Sequence, residues 1–558
     1  MRRLVLLLVA VFVAIPAGSA SAAQTTGRLL VTLHRSAAGP EARAAAFDAV
    51  AASAGARRAG FSVPKLRLVT VRPRGGESLS ALARRLRLDP RVASVQRETR
   101  AEPRYQPNDP ALTEAETAPG TAPGTPVEWW PAREGFPAAW DLERGDDAVV
   151  AVIDTGVEDA HPDLNGRIAG SATFDPGGGP ATSDSVGHGT HVASLACGAG
   201  DNGLGLTGAG LHCRLLAISS DFSDSSVAAS IVWAVDHGAD SINMSFGTSP
   251  GARPTQAVID AIDYAFAHNV VMVSAAADDP IEEQGHPSNV LQPTGTGPDL
   301  TVGKGLSVTA ANFSDQRASF AGRGTQISLA AYGTYDERTG PPGIFGAFTT
   351  NTNDLERGQL GLPPNPPCNC RTTFDGDPRY GYLQGTSMAA PMVAGAAALV
   401  RRLNPDLSAA DVIRLIKQTA RRPTGVGWTP DLGWGILDAG AALAAASDMD
   451  RRPPVSKVLP APARTHQPTV RLRWRGADQA PPKVRRAGIA RFELWRSTDG
   501  GPPRRIFTTT RGLTKLVALH AGSTYGFFTI AVDRAGNREA APAHPDTTVQ
   551  ALPALRKG

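Results

Sequence analysis

Three short motifs in this chain hold side chains that could do chemistry together: Val152-Ile153-Asp154-Thr155-Gly156, Gly187-His188-Gly189-Thr190-His191 and Gly385-Thr386-Ser387-Met388-Ala389-Ala390-Pro391. A serine hydroxyl is a weak nucleophile until a base takes its proton, and imidazole suits that task near neutral pH. A carboxylate on the far ring nitrogen fixes the imidazole's tautomer and steadies the charge it acquires. Ser387, His188 and Asp154 are therefore candidates for nucleophile, base and orienting carboxylate. Asp154 closes an apolar strand-like run, at the sheet rim where α/β proteins place their sites. His188 opens a helix whose glycines admit close approach, and Ser387 begins one whose backbone N–H groups can face a developing oxyanion. The His188/His191 pair offers metal ligation as a rival reading, but zincin histidines stand four apart with a Glu between them.

The elements that must position these residues can be read along the chain. From Trp129 to about Ala446, short apolar strands (148–153, 215–218, 241–244, 270–275 and 306–310) alternate with helices. That alternation predicts an α/β domain, a doubly wound and mostly parallel sheet, over 129–450. Residues 336–378 are Pro/Gly-rich without periodicity and read as a long surface insertion. Ahead of this body, residues 23–104 predict a small α+β unit, and 105–128 a Pro/Thr/Gly-rich linker. After Arg451-Arg452-Pro453-Pro454 the pattern becomes all-β to residue 558, with Val470-Arg471-Leu472-Arg473-Trp474 alternating cleanly.

Residues 1–22 carry a basic start, an apolar run from Leu4 to Ile15 and an Ala20-Ser21-Ala22 cleavage pattern, predicting a signal peptide and an exported protein. Cys197, Cys213, Cys368 and Cys370 suit an oxidising compartment. A Cys197–Cys213 bridge is preferred, while Cys368 and Cys370 look too close in sequence for an easy bridge to each other. The net charge of +4 conceals segregation. Residues 24–104 hold 16 Lys+Arg against 6 Asp+Glu, residues 105–450 hold 18 against 40, and residues 451–558 hold 20 against 6. The basic flanks are complementary to the acidic middle. The basic C-terminal segment could also take an anionic cell-surface polymer; no motif supports nucleic acid.

The three motifs in the order Asp, His, Ser closely resemble the subtilisin-like serine peptidases (subtilases). The resemblance implies that Ser387, His188 and Asp154 form the catalytic triad and that His191 only packs. It implies a secreted endopeptidase acting on polypeptides, a monomer without a catalytic cofactor. Residues 23–104, closing on Asp89-Pro90-Arg91-Val92-Ala93-Ser94-Val95, resemble the family's inhibitory propeptide, which would make the chain a zymogen. Ser245, Phe246 and Gly247 match the segment that pairs with substrate and lines the first specificity pocket. Asp163 with Asn202, Leu204 and Leu206 resembles a structural calcium site. The ending Ala531-Val532-Asp533-Arg534-Ala535-Gly536-Asn537 resembles a fibronectin-type-III-like β-sandwich. One position departs from the pattern: Asp278 stands where the family has an Asn that donates to the oxyanion. Asp278 could serve as a protonated donor, or other groups could carry the hole. The alternative is a weak or inactive pseudoprotease acting as a binding or scaffold protein.

Overall fold

The structure is a computed structural model describing residues 25–34, 40–74, 77–99, 105–359, 366–423, 425, 427–510 and 512–554. The expected signal peptide lies outside the described residues. The chain divides into two units, residues 1–104 and 105–558.

In the first unit, four antiparallel strands stand in the order Ala56–Val63, Leu68–Pro73, Thr25–Leu33, Val92–Thr99. Their inward positions, among them Leu29, Val31, Val69 and Val71, are fully buried against Phe47 and Val50 of helix Pro40–Ser53 and Leu82 and Leu86 of helix Leu79–Arg87. The strand Ala56–Val63 lacks a readable alternation, because only Ala56 of its eight residues is buried.

The second unit is built on seven parallel strands. Their order is Leu329–Tyr332, Gly305–Ala311, Val271–Ala275, Ser241–Met244, Val149–Asp154, Arg214–Ser220, Ile168–Phe174. Most of these strands are buried throughout, which explains their near-continuous apolar sequences. From Val149–Asp154 the chain winds to one edge, then crosses back to build the other. Asp154 therefore sits at the carboxyl end of the strand where the winding reverses. The helix Thr386–Leu403 is buried along almost its whole length, which is why its face reads Ala, Gly and Val rather than amphipathic.

Two expectations are corrected. Residues 105–128 are no free linker. Ala111 N–H donates to the Gly205 carbonyl at 3.0 Å, Asn108 N–H donates to Asp201 at 3.3 Å, and Ala111 is fully buried. The segment's backbone finds partners on the body, so it packs as a strap. Residues 336–378 are likewise no simple surface loop. Strands Ile344–Ala347, Asp377–Leu383 and Arg371–Phe374 form an antiparallel sheet, with Phe345 stacked on Tyr380 in a buried aromatic cluster.

Cys197 and Cys213 are bridged, as expected, with Cα atoms 5.3 Å apart. Cys368 and Cys370 are joined as well, against expectation; their Cα separation of 5.2 Å lies within a disulfide's reach.

The C-terminal residues form a three-stranded and a five-stranded sheet sharing one core around Trp474, Leu472, Leu494 and Phe527. This all-β body docks on the α/β body. Lys483 pairs with Glu143 at 2.7 Å, Arg452 with Asp406 at 2.9 Å, and Asn537 Nδ2 donates to the Asp450 carbonyl at 3.0 Å. Part of its basic charge thus faces the acidic middle of the chain.

Candidate active site

Asp154 and His188 arrive from a strand end and a helix start. His188 Nδ1 lies 2.7 Å from Asp154 Oδ1, so Nδ1 carries the proton and the imidazole's other nitrogen is left to act as a base. Gly189 makes the approach possible: a Cβ there would lie 2.2 Å from the Gly156 carbonyl oxygen and 3.1 Å from Asp154 Oδ1. Asp154 is 1% exposed, and its Oδ2 is buried without a hydrogen-bond partner. Burial acts to lower the His188 pKa, but the carboxylates of Asp154, Asp184 and Asp278 outweigh it, and the net direction is upward from 6.5.

Asp184 is a residue that sequence reading passed over. Its carboxylate accepts from Thr155 Oγ1 (2.9 Å), Val186 N (3.0 Å), Gly187 N (2.9 Å), Thr190 N (2.9 Å) and Thr190 Oγ1 (2.7 Å). One buried carboxylate thereby ties the residue after Asp154 to the turn before His188. An acid four residues ahead of the histidine is an ordinary turn residue in sequence, so nothing there marked it. His191 packs as expected: it is fully buried, its Nε2 lies 3.0 Å from the Ile344 carbonyl, and burial lowers its pKa to about 3.

Ser387 sits one residue into helix Thr386–Leu403. Its Oγ donates to the Ser245 carbonyl at 3.0 Å, while Ser245 Oγ donates to the Ser387 carbonyl at 2.8 Å. This reciprocal pair fixes the end of strand Ser241–Met244 against the serine. Beside Ser387 opens a cavity of about 410 Å³, lined by Phe246, Gly247, Thr248, Ala275 to Asp279 and Thr386. A larger concavity of about 780 Å³, lined in part by Arg253, Glu283 and Lys304, includes none of the triad residues.

Asp278 stands at that cavity's wall. Its Oδ1 accepts the Thr386 N–H at 2.7 Å and the Thr386 hydroxyl at 2.9 Å. Asp278 keeps solvent exposure, yet the protein crowded around its carboxyl desolvates it and pushes its pKa up; the Thr386 bonds and the nearby His188 oppose this, the Asp279 charge adds to it, and the net direction is upward. With Oδ1 engaged as acceptor, Oδ2 is the oxygen left to hold a proton.

The expected calcium residues also come together. Asp163 is fully buried; its Oδ1 accepts Asn202 Nδ2 at 2.9 Å, and its Oδ2 accepts Leu206 N at 3.2 Å and Tyr380 Oη at 2.9 Å. Leu204 lies on the same loop, its N–H donating to Asn202 Oδ1 at 2.7 Å. Two acids not expected from the sequence, Asp109 and Glu128, join them, each 1% exposed. Asp109 Oδ1 and Glu128 Oε1 are buried without a partner. Burial together with neighbouring carboxylates pushes Asp109 up to about 6 and Glu128 well above the usual range. The orphaned Asp109 and Glu128 oxygens are the atoms here whose chemistry suits a hard cation such as calcium, while the Asp163 oxygens and Asn202 Oδ1 already accept hydrogen bonds. Asp109 and Glu128 escaped notice because they lie in the stretch read as a linker.

The chain matches the model of the subtilase family over residues 145–435 and belongs to that family, the subtilisin-like serine endopeptidases. Subtilisin Savinase of Lederbergia lenta is 32% identical over 323 residues, covering 57% of this chain and 98% of that protein. Fervidolysin of Fervidobacterium pennivorans is 32% identical over 319 residues, covering 54% of this chain and 42% of the longer fervidolysin chain. Among solved structures, a protease of Pseudoalteromonas arctica shares 27% identity with a TM-score of 0.46, covering 59% of this chain and all of that one.

Proposed function

We propose that this protein is a serine endopeptidase, exported as an inactive precursor, with Ser387, His188 and Asp154 as its catalytic triad. The observation that carries this reading is the 2.7 Å contact between His188 and Asp154, with Ser387 at the start of a buried helix beside a substrate-sized cavity. In the first step the Ser387 hydroxyl leaves the Ser245 carbonyl and attacks a peptide carbonyl carbon, its proton passing to His188 Nε2. Asp154 holds the resulting imidazolium. His188 then gives that proton to the departing amine, leaving an acyl group on Ser387. Water, deprotonated by the same imidazole, hydrolyses the acyl-enzyme and returns Ser387 to its hydroxyl.

Asp278 acts in this reading as a neutral acid. Oδ1 is anchored by Thr386, and the proton on Oδ2 is donated to the oxyanion. An ionised Asp278 would repel that oxygen, and loss of one such donor costs about 3 kcal/mol of transition-state stabilisation. An intact His188–Asp154 pair and an ordered serine favour this active reading over a pseudoprotease.

Residues 23–104 are read as the inhibitory propeptide, and 451–558 as an accessory body docked by ion pairs rather than a polymer anchor. Calcium is read as a structural ion held by Asp163, Asn202, the loop carbonyls of Leu204 and Leu206, and Asp109, with Glu128 close by. Bound there, it would neutralise buried carboxylates and supply no chemistry to the reaction.

The reading is tested by incubating the protein, freed of residues before 105, with a peptide library and identifying the products by mass spectrometry. Internal cleavages that vanish in Ser387→Ala support it. Their absence in the unaltered protein contradicts it.

A further inference from the structure

In the C-terminal body many basic side chains are already paired. Arg491, Arg505 and Arg538 surround the buried Glu493, Lys483 meets Glu143, and Arg452 meets Asp406. One group is not. In strand Thr469–Ala477 the residues Val470, Leu472 and Trp474 point into the core, so Arg471, Arg473 and Arg475 share the outward face and are exposed. The neighbouring strand Val455–Val458 sets the exposed Lys457 directly beside Arg475, on the same face. Among the described residues none of these four side chains makes a salt bridge, a hydrogen bond or a ring contact.

The rest of that face is uncharged. Ala518, Leu516 and Thr514 of strand Thr514–Ala518 stand beside Thr469, Arg471 and Arg473, and Val455 stands beside Ala477. Like charges directly opposite one another across a strand pair repel, as Lys457 and Arg475 do, and this destabilises the sheet. Guarding a sheet edge does not account for the arginines, because Thr469–Ala477 is the central strand of its three-stranded sheet. An anion laid across the face would turn the repulsion into attraction.

The spacing narrows the kind of anion. Side chains two residues apart on a strand repeat every ~6.7 Å, so Arg471, Arg473 and Arg475 form a row about 13 Å long. An extended polypeptide presents its own alternate side chains at that repeat. Leu516 beside Arg471 and Val455 beyond Arg475 are exposed, adding apolar surface near both ends of the row. Apolar side chains of a polypeptide would cover it, whereas a chain of sugar acids or phosphates would leave it in water. We propose that this face binds extended, acidic polypeptide segments, with carboxylates at alternate positions meeting Arg471, Arg473 and Arg475. None of these residues lines the cavity beside Ser387, so the surface is distinct from the catalytic centre. Its use in holding acidic substrates near that centre rests on the endopeptidase reading, whereas the binding itself does not.

The test is fluorescence anisotropy on the full chain carrying Ser387→Ala, which leaves the probe uncut. The probe is a labelled peptide of about a dozen residues with Glu at every second position and Thr or Val between, long enough to span the row. It should bind about tenfold more tightly than its Gln counterpart, and more weakly as salt rises from about 0.05 to 0.2 M. Arg471→Gln, Arg473→Gln and Arg475→Gln together should cost about tenfold, the scale of three exposed charge pairs, and Lys at the same positions should keep affinity within about threefold. Absence of binding overturns the proposal, as do binding that survives the Gln substitutions and loss that Lys does not restore. Polygalacturonate or inorganic polyphosphate competing more strongly per charge than the peptide also overturns it, by making the partner a sugar-acid or phosphate polymer. In the chain with Ser387 intact, freed of residues before 105, the Gln substitutions should raise KM for a substrate bearing the acidic segment and leave kcat/KM on a short uncharged peptide unchanged. Probe binding with neither substrate cleaved removes the endopeptidase reading alone, and cleavage without probe binding removes this inference alone.

Discussion

Asp278 Oδ1 accepts the backbone N–H of Thr386 at 2.7 Å, so the acid that replaces the expected oxyanion amide is anchored to the residue directly before the nucleophile. The carboxyl is thus held in place, and desolvation at the cavity wall followed by the Asp279 charge moves its pKa upward against the Thr386 bonds and His188. The proposed donor role rests on this placement.

Replacing Asp278 with Asn should raise kcat/KM near pH 8. An amide donates whatever the pH, whereas the carboxyl donates only while protonated. The gain should approach tenfold, half or less of the logarithmic cost of a lost donor. Assay of both proteins on one peptide from pH 5 to 9 checks it; an unchanged or lower rate at every pH would remove Asp278 from the oxyanion role.

The same assay reads His188. Its pKa is raised, so the imidazole stays protonated, and useless as a base, to higher pH than an ordinary histidine. The acid limb of kcat/KM should therefore lie above 6.5. If Asp278 is neutral over that range, as the proposed reading requires, it carries no charge toward His188, and Asp278→Asn should leave the limb where it is. A limb that moves to lower pH would show that Asp278 is ionised there and would count against its donor role.

Asp184→Ala should damage both stability and turnover. It strips acceptors from five buried or half-buried donors on Thr155, Val186, Gly187 and Thr190, at a cost of about 3 kcal/mol or more. Because the carboxylate positions the Asp154–His188 pair without touching substrate, kcat should fall while KM changes little. Thermal melting and steady-state kinetics on Asp184→Ala and the milder Asp184→Asn check this. A purely structural residue would lower Tm and leave kcat per folded molecule intact.

Chelation should lower Tm at neutral pH. A cation held at a thousandfold excess over its Kd contributes about 4 kcal/mol of stability. Asp109→Asn should shrink the calcium-dependent part of Tm. Isothermal titration of the chelated protein with calcium provides a readout independent of activity; no heat and no change in Tm would remove calcium from the account.

Much of this was legible in sequence for a simple reason. Buried parallel strands such as Val149–Asp154 and Val271–Ala275 must be apolar on both faces, so they stand out as short runs close to their true bounds. The three residues proposed as the triad stood out because each sits in a glycine-lined motif. The edge strand Ile168–Phe174 was not, since its residues are only partly buried and carry no apolar run. Asp109, Glu128 and Asp184 were hidden for a different reason: a carboxylate's role depends on which backbone N–H groups and charges fold around it. Composition misled at 105–128 and 336–378, where Pro, Gly and Thr suggested loops but hydrogen bonds to the body and a buried aromatic cluster supply the order.

The most direct test of the central claim is covalent labelling by a fluorophosphonate, read by peptide mapping, on the protein freed of residues before 105. The account predicts one adduct, on Ser387, lost in Ser387→Ala and formed far more slowly in His188→Ala. No adduct, or an adduct that persists after Ser387→Ala, would contradict it.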